Sequence, residues 1–91
     1  MKELILKYCE KLSLEGKSKL TIQSYGTDLD QFSEFILPFF ESGEILPAAI
    51  SPMMIRDWLR HLHDARVSNR SLSRKMAALS SFFKYLKAHL Y

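Results

Sequence analysis

The run Ile50-Ser51-Pro52-Met53-Met54-Ile55-Arg56-Asp57-Trp58-Leu59-Arg60-His61-Leu62 contains a full set of helix-start signals. Ser51 has a hydroxyl that can accept a free N–H of the first turn. Pro52 stands at the first helical position, where its missing N–H costs nothing. Ile50 and Ile55 flank the cap with the spacing of a hydrophobic staple. From there Ile55, Trp58, Leu59 and Leu62 recur at three and four residues, so the segment predicts an amphipathic helix over about 51–65.

The same period extends in both directions. Downstream, Ser68 can cap a helix over about 68–90, with Leu72, Met76, Leu79, Phe83, Leu86 and Leu90 as its apolar stripe. Upstream, Ser18 caps a helix over about 18–37 whose stripe is Ile22, Tyr25, Leu29, Phe32 and Ile36. Pro38 closes that helix, because the residue before proline is pushed out of the helical region. A first helix over about 3–15 carries Leu4, Ile5, Tyr8 and Leu12, and Gly16 ends it in the left-handed conformation that a side chain disfavours. Residues 38–49 have no period and read as a loop, with Phe39 and Phe40 expected to fold back onto the core. Short connections favour helices that pack directly on each other. The expectation is one all-α domain over residues 1–91, a four-helix orthogonal bundle.

The composition agrees. Ninety-one residues make room for a single domain, and a chain of this size buries only ~60% of its unfolded surface, so the core must be apolar. Hydrophobic residues make up 47% of the chain, enough for that core, and three glycines with three prolines are too few for a linker. Cys9 is alone, which excludes an internal disulfide or a cysteine metal cluster. No stretch approaches the ~20 apolar residues of a membrane span, and no leader-like apolar run opens the sequence. A cytoplasmic protein is the simplest expectation.

Charge is unevenly placed. Residues 1–55 hold five lysines against eight acids, whereas residues 56–91 hold eight bases against Asp57 and Asp64. Such asymmetry marks an anion-binding face or a merely dipolar protein, and position must separate the two. Opposite the core stripe of the fourth helix lie Arg70, Arg74, Ala77 and Ser81, flanked by Ser71 and Ser73. Arginine presents a planar fork of donors, and small neighbours allow close approach to phosphates or base edges. Opposite the core of the second helix lie Leu20, Gln23, Ser24, Thr27 and Gln31, with Lys17 and Lys19 at the entrance. This face hydrogen-bonds without carrying the carboxylates that phosphates would repel.

Two motifs join these observations. Ser18-Lys19-Leu20-Thr21-Ile22-Gln23-Ser24-Tyr25, followed by Asp28-Leu29 and Phe32, resembles the Ser-x-x-Thr-x-x-x-Tyr…Asp-Leu…Phe run of phage-integrase and Xer-type tyrosine recombinases. Ser68-Asn69-Arg70-Ser71-Leu72-Ser73-Arg74-Lys75-Met76-Ala77-Ala78-Leu79-Ser80-Ser81-Phe82-Phe83-Lys84-Tyr85-Leu86 is similar to that family's second signature. The resemblance spans nearly the whole chain in the right order. It implies a SAM-like core-binding domain that clamps one side of duplex DNA with its second and fourth helices, while a separate catalytic domain grips the other. It further implies a homo-oligomer on DNA and a recombination chemistry lying outside these residues. Lys17, Lys19, Arg70, Arg74 and Lys75 would meet phosphates or guanine edges. Ser18, Thr21, Asn69 and Ser71 would bond phosphate oxygens, and Gln23, Ser24 and Thr27 would face bases.

Three departures stand out. Gly26 and Thr27 occupy positions where the family commonly has arginines, Ala65 and Arg66 replace a glycine at the end of the third helix, and the 38–49 loop is particular to this chain.

Catalytic constellations are absent from the sequence. His61 and His63 are two apart on a helix and diverge, so they cannot share a metal. No phosphate loop, paired-carboxylate set or nucleophile elbow occurs, so neither catalysis nor a cofactor or metal is expected. The alternative reading is a helical adaptor in which Arg70 and Arg74 bind an acidic protein surface, since SAM-like folds serve that use as well.

Overall fold

A computed structural model describes residues 1–89. Four α-helices carry the chain: α1 (Lys2–Leu14), α2 (Lys19–Ile36), α3 (Pro52–Asp64) and α4 (Asn69–Ala88). Between α2 and α3, two single 3-10 turns cover Leu37–Phe39 and Pro47–Ala49, and no strand occurs among the described residues. The helix ends fall within one or two residues of the expected positions. Leu90, expected in the core stripe, and Tyr91 lie outside the described residues.

Local chemistry accounts for the boundaries. Ser18, Ser51 and Ser68 each accept a backbone N–H three residues on, from Thr21, Met54 and Ser71. Each cap satisfies a donor that the first helical turn leaves free. At its far end α1 closes with Lys17 N–H on the Leu12 carbonyl and Gly16 N–H on that of Ser13. α3 closes the same way, with Val67 on Leu62 and Arg66 on His63. This paired closure requires a left-handed residue. Gly16 supplies it at φ +80, and Arg66 adopts it at φ 61 despite its side chain.

The two halves repeat. Each of α3 and α4 begins 50 residues after its counterpart α1 or α2, and the connections within the two pairs are equal in length. Buried positions repeat with them: Tyr8 and Trp58, Leu12 and Leu62, Leu29 and Leu79, Phe32 and Phe82, Ile36 and Leu86. The core is thus assembled from two helical hairpins of one design, closed by edge-on aromatic contacts between Tyr8 and Phe82 and between Phe32 and Trp58. Ile45, from the loop, plugs the same core.

The hairpins differ at the seam. A Cβ built on Gly26 would lie 3.4 Å from Cys9 Sγ, so α1 and α2 approach closely on two small residues. The equivalent pair in the second hairpin is Leu59 and Met76, and there an apolar groove opens between α3 and α4, rimmed by Arg56, Arg60 and His63.

Two expectations need correction. The buried stripe of α4 is Lys75, Ala78, Leu79, Phe82 and Leu86, with Leu72 and Phe83 only partly buried and Met76 36% exposed. A single stripe through Leu72, Met76, Leu79, Phe83 and Leu86 is too narrow, because α4 touches all three other helices and its contact arc is broader. In the loop, Phe40 packs on the core as expected. Phe39 does not: it is 48% exposed and meets Phe35 edge-on outside the core.

Candidate functional site

Rotating α4 to its observed phase changes which residues share its outer face. A helix turns about 100° per residue, so Arg70, Ser73, Ala77, Ser80 and Lys84 form one line down the side away from the core, and all five are exposed. The line is basic at both ends and small or hydroxyl-bearing between. No acid occurs anywhere in α4. Ser80 and Lys84 do not stand out in the sequence, where the stripe expected opposite the core is Arg70, Arg74, Ala77 and Ser81. Ser81 in fact turns toward α1, where its Oγ accepts the Tyr8 hydroxyl at 2.6 Å. A phase taken from all the apolar positions of the helix, Phe82 and Ala78 included, would have found the line.

The remaining expected residues fall into three groups. Lys17, Lys19, Gln23, Thr27, Asn69 and Arg70 are exposed, and Thr21, Ser24 and Ser71 are half-buried. Ser18 is exposed too, but its hydroxyl accepts from the Thr21 amide and donates to Thr21 Oγ1, so it serves the cap. Gln23 and Thr27 line a shallow groove against α1, together with Cys9, Gly26 and Asp30. The third group, Arg74 and Lys75, sits in the seam between α2 and α4.

That seam holds the strongest polar cluster in the described residues. Asp28, only 1% exposed, accepts Arg74 Nε on Oδ2 and Arg74 Nη2 on Oδ1, each at 3.0 Å. Lys75 Nζ donates to Asp28 Oδ1 at 2.8 Å and to Gln31 Oε1 at 2.7 Å. Bringing a carboxylate into a protein interior is costly unless charge and hydrogen bonds replace the lost water. Here two cations do so. The bidentate Asp28 contact raises the Arg74 pKa further above its ordinary value, so its charge is permanent.

Lys75 is thereby reassigned. It is 6% exposed, and its ammonium is turned into the seam rather than to solvent. Arg74, by contrast, keeps 44% of its side chain exposed. Gln31, expected to face outward, is exposed but holds Lys75 through its carbonyl. A carboxylate at the edge of an apolar stripe was the available signal for this cluster. Asp28 lies between Tyr25 and Phe32, where the uncharged α2 pattern is broken.

Nothing in this arrangement activates a nucleophile. Tyr8 is buried, and that burial pushes its hydroxyl above the ordinary phenol value, opposite to what attack on phosphorus needs. Cys9 is pushed up for the same reason. No grouping of histidine, cysteine and carboxylates that could hold a metal occurs among the described residues. No helix described is long and apolar enough to cross a membrane.

The fold and surface define a small helical domain built on two hairpins, with a basic, acid-free helix along one side. Residues 5–89 match the family described as phage integrase, N-terminal SAM-like domain, and the chain belongs to that family. It is 34% identical over 79 residues to the tyrosine recombinase XerC of Chlorobaculum tepidum, covering 81% of this chain and 23% of the relative. It is 36% identical over 81 residues to the XerC of Anoxybacillus flavithermus, covering 87% and 26%. The XerC of Herpetosiphon aurantiacus is 32% identical over 88 residues, covering 96% and 28%. The chain thus spans about a quarter of the length of these relatives. No solved structure matches it significantly.

Proposed function

We propose that this domain binds duplex DNA as the core-binding module of a site-specific tyrosine recombinase. The observation that carries the reading is the outer line of α4, Arg70, Ser73, Ala77, Ser80 and Lys84, on a helix without a single acid. Cations at both ends neutralise phosphates, and the small residues between them let the backbone of the helix approach a groove. Lys17 and Lys19, with Asn69 beside Arg70, extend the basic surface at the starts of α2 and α4. Gln23, Ser24 and Thr27 supply neutral donors and acceptors for base edges. Lys75 is left out of the contact set.

In this reading strand cleavage belongs to a catalytic domain elsewhere in the full recombinase, which works in the cytoplasm as several copies on one DNA. Fluorescence anisotropy with a labelled duplex, repeated across salt concentrations, tests the binding step. Each phosphate contact contributes a slope of about −0.9 in log affinity against log salt. Changing Arg70 and Lys84 to alanine together should therefore flatten the slope by about two contacts and leave helicity unchanged. No binding at low salt, or an unchanged slope in the double variant, would overturn the reading.

A second reading rests on the α3–α4 groove. Leu59, Leu72 and Met76 form its floor, and Arg56, Arg60 and His63 its rim. An adaptor would take an acidic amphipathic helix there, and substitution of Leu59 rather than Arg70 would then abolish partner binding.

A further inference from the structure

We propose that Asp28 is a positioning residue: it holds the Arg74 guanidinium with its free edge turned outward, ready for a pair of hydrogen-bond acceptors on duplex DNA. The inference rests on the DNA-binding reading and assigns a part in it to a buried carboxylate.

The geometry is specific. A guanidinium has five N–H donors in one plane. Asp28 engages one edge of it, through Nε and Nη2. The opposite edge, Nη1 with the second hydrogen of Nη2, has no acceptor among the described residues. It belongs to a side chain 44% exposed, on the helix whose outer line includes Arg70 four residues earlier. That edge carries two parallel donors, the shape that fits two phosphate oxygens or O6 and N7 of guanine.

Charge explains why two cations meet one carboxylate. Lys75, with its side chain 8% exposed, already balances Asp28 within the seam. Arg74 therefore brings one positive charge in excess, and it is the one directed to solvent. An arginine clamped on one edge no longer has to lose its rotamer freedom when DNA arrives.

This makes a prediction opposite in sign to simple electrostatics. Asp28→Asn removes a negative charge near the interface, so a purely coulombic or structural role gives equal or tighter DNA binding. Positioning gives weaker binding. The experiment is duplex anisotropy with the wild type, D28N, R74K, the D28N/R74K double variant and D30N, each checked for helical circular dichroism. Asp30 is exposed on α2 and outside the seam, so D30N should bind as well as the wild type or better. D28N should bind about tenfold more weakly, the low end for a bidentate arginine contact. R74K keeps the charge but loses the fork, and should fall by a similar factor. The double variant should be no worse than either single one, because the two changes remove the same contact.

A D28N protein that binds more tightly, together with an unimpaired R74K, overturns the inference while leaving DNA binding intact. No binding by the wild type overturns the DNA reading, and this inference with it. Should D28N fail to fold, the decision passes to R74K against R74Q: equal losses support the fork, and an R74K protein equal to the wild type refutes it. Losses that are uniform across duplex sequences assign the acceptors to phosphate, and losses confined to particular sequences assign them to guanine.

Discussion

Replacing Lys75 with methionine tests whether this residue is part of the core or of the binding face. The side chain is enclosed, and its ammonium makes two short hydrogen bonds, to Asp28 and Gln31. Hydrogen bonds to charged groups contribute about 1.5–3 kcal/mol each. The methionine refills the volume and returns roughly 1–2 kcal/mol through apolar burial. Arg74 stays on Asp28, so the loss falls short of the ~3–5 kcal/mol of a fully orphaned buried charge. The net expectation is a loss of about 2–3 kcal/mol. For a domain of this length that lowers Tm by roughly 10–20 °C, at about 4–8 °C per kcal/mol.

The informative companion is Asp28→Ala combined with Lys75→Met. With the carboxylate gone, no buried charge remains, and Arg74, already half in solvent, needs no partner. Replacing a whole buried ion pair is often neutral, whereas removing one member is not. The double variant should therefore recover more than half of what K75M loses. Urea denaturation followed by helical circular dichroism measures both, with unchanged slopes as the check that compactness is preserved. A K75M protein as stable as the wild type, or a double variant less stable than K75M, would refute the assignment of Lys75 to the core.

Two further outcomes follow from single features. Arg66 occupies the left-handed position at the end of α3 at φ 61, a conformation that costs a side-chain-bearing residue about 1–2 kcal/mol. Arg66→Gly should stabilise the domain by about 0.5–1 kcal/mol after the extra chain entropy of glycine, read as a higher Tm. Burial raises Cys9 above 9.0 and Tyr8 above 10.0. The unfolded chain releases both protons at lower pH than the folded one, so it binds fewer protons in that window and stability falls as pH climbs past 9.0 and again past 10.0. Cys9→Ser should remove the first part of that decline in a series of urea midpoints, and a flat profile in the wild type would contradict the burial argument.

What could be read from sequence was what local geometry controls. Ser18, Ser51 and Ser68 were recognisable as caps because a cap is completed within three residues, and Pro38 ended α2 because its constraint acts on its neighbour. The phase of α4 was not recoverable the same way. Three helices press on it, so Lys75 at a buried position looks like a surface base until its partner is known. That partner, Asp28, is 47 residues distant, and no period connects the two. Arg74 stands out in the sequence as an exposed arginine near a helix start, but its carboxylate clamp is invisible there for the same reason. The repeat was open to view, since Leu12, Ser18, Leu29 and Phe32 recur as Leu62, Ser68, Leu79 and Phe82, and aligning the chain with itself would have placed α4 in phase with α2.

The repeat also shows where the two halves part company. Laid over one another, the outer lines of the long helices read Leu20, Gln23, Thr27, Asp30, Glu34 on α2 and Arg70, Ser73, Ala77, Ser80, Lys84 on α4. The skeleton is shared, so the difference lies in the side chains alone. α2 is neutral in its first half and acidic in its second, and a phosphate backbone can approach only the first. α4 is free of carboxylates from end to end, so no charge on it would repel a phosphate backbone. The carboxylate that α2 pairs with α4, Asp28, is covered by Lys75 and Arg74, and its equivalent on α4 is Ala78. An ancestral pair of equal hairpins need not be invoked for this to matter. On the proposed DNA-binding reading, two helices of one shape but unlike charge would leave an asymmetric footprint, with α4 gripping and only the start of α2 reading. Truncating charges on α4 should therefore change salt dependence, whereas changing Gln23 or Thr27 should alter the preference among duplex sequences with the salt slope preserved.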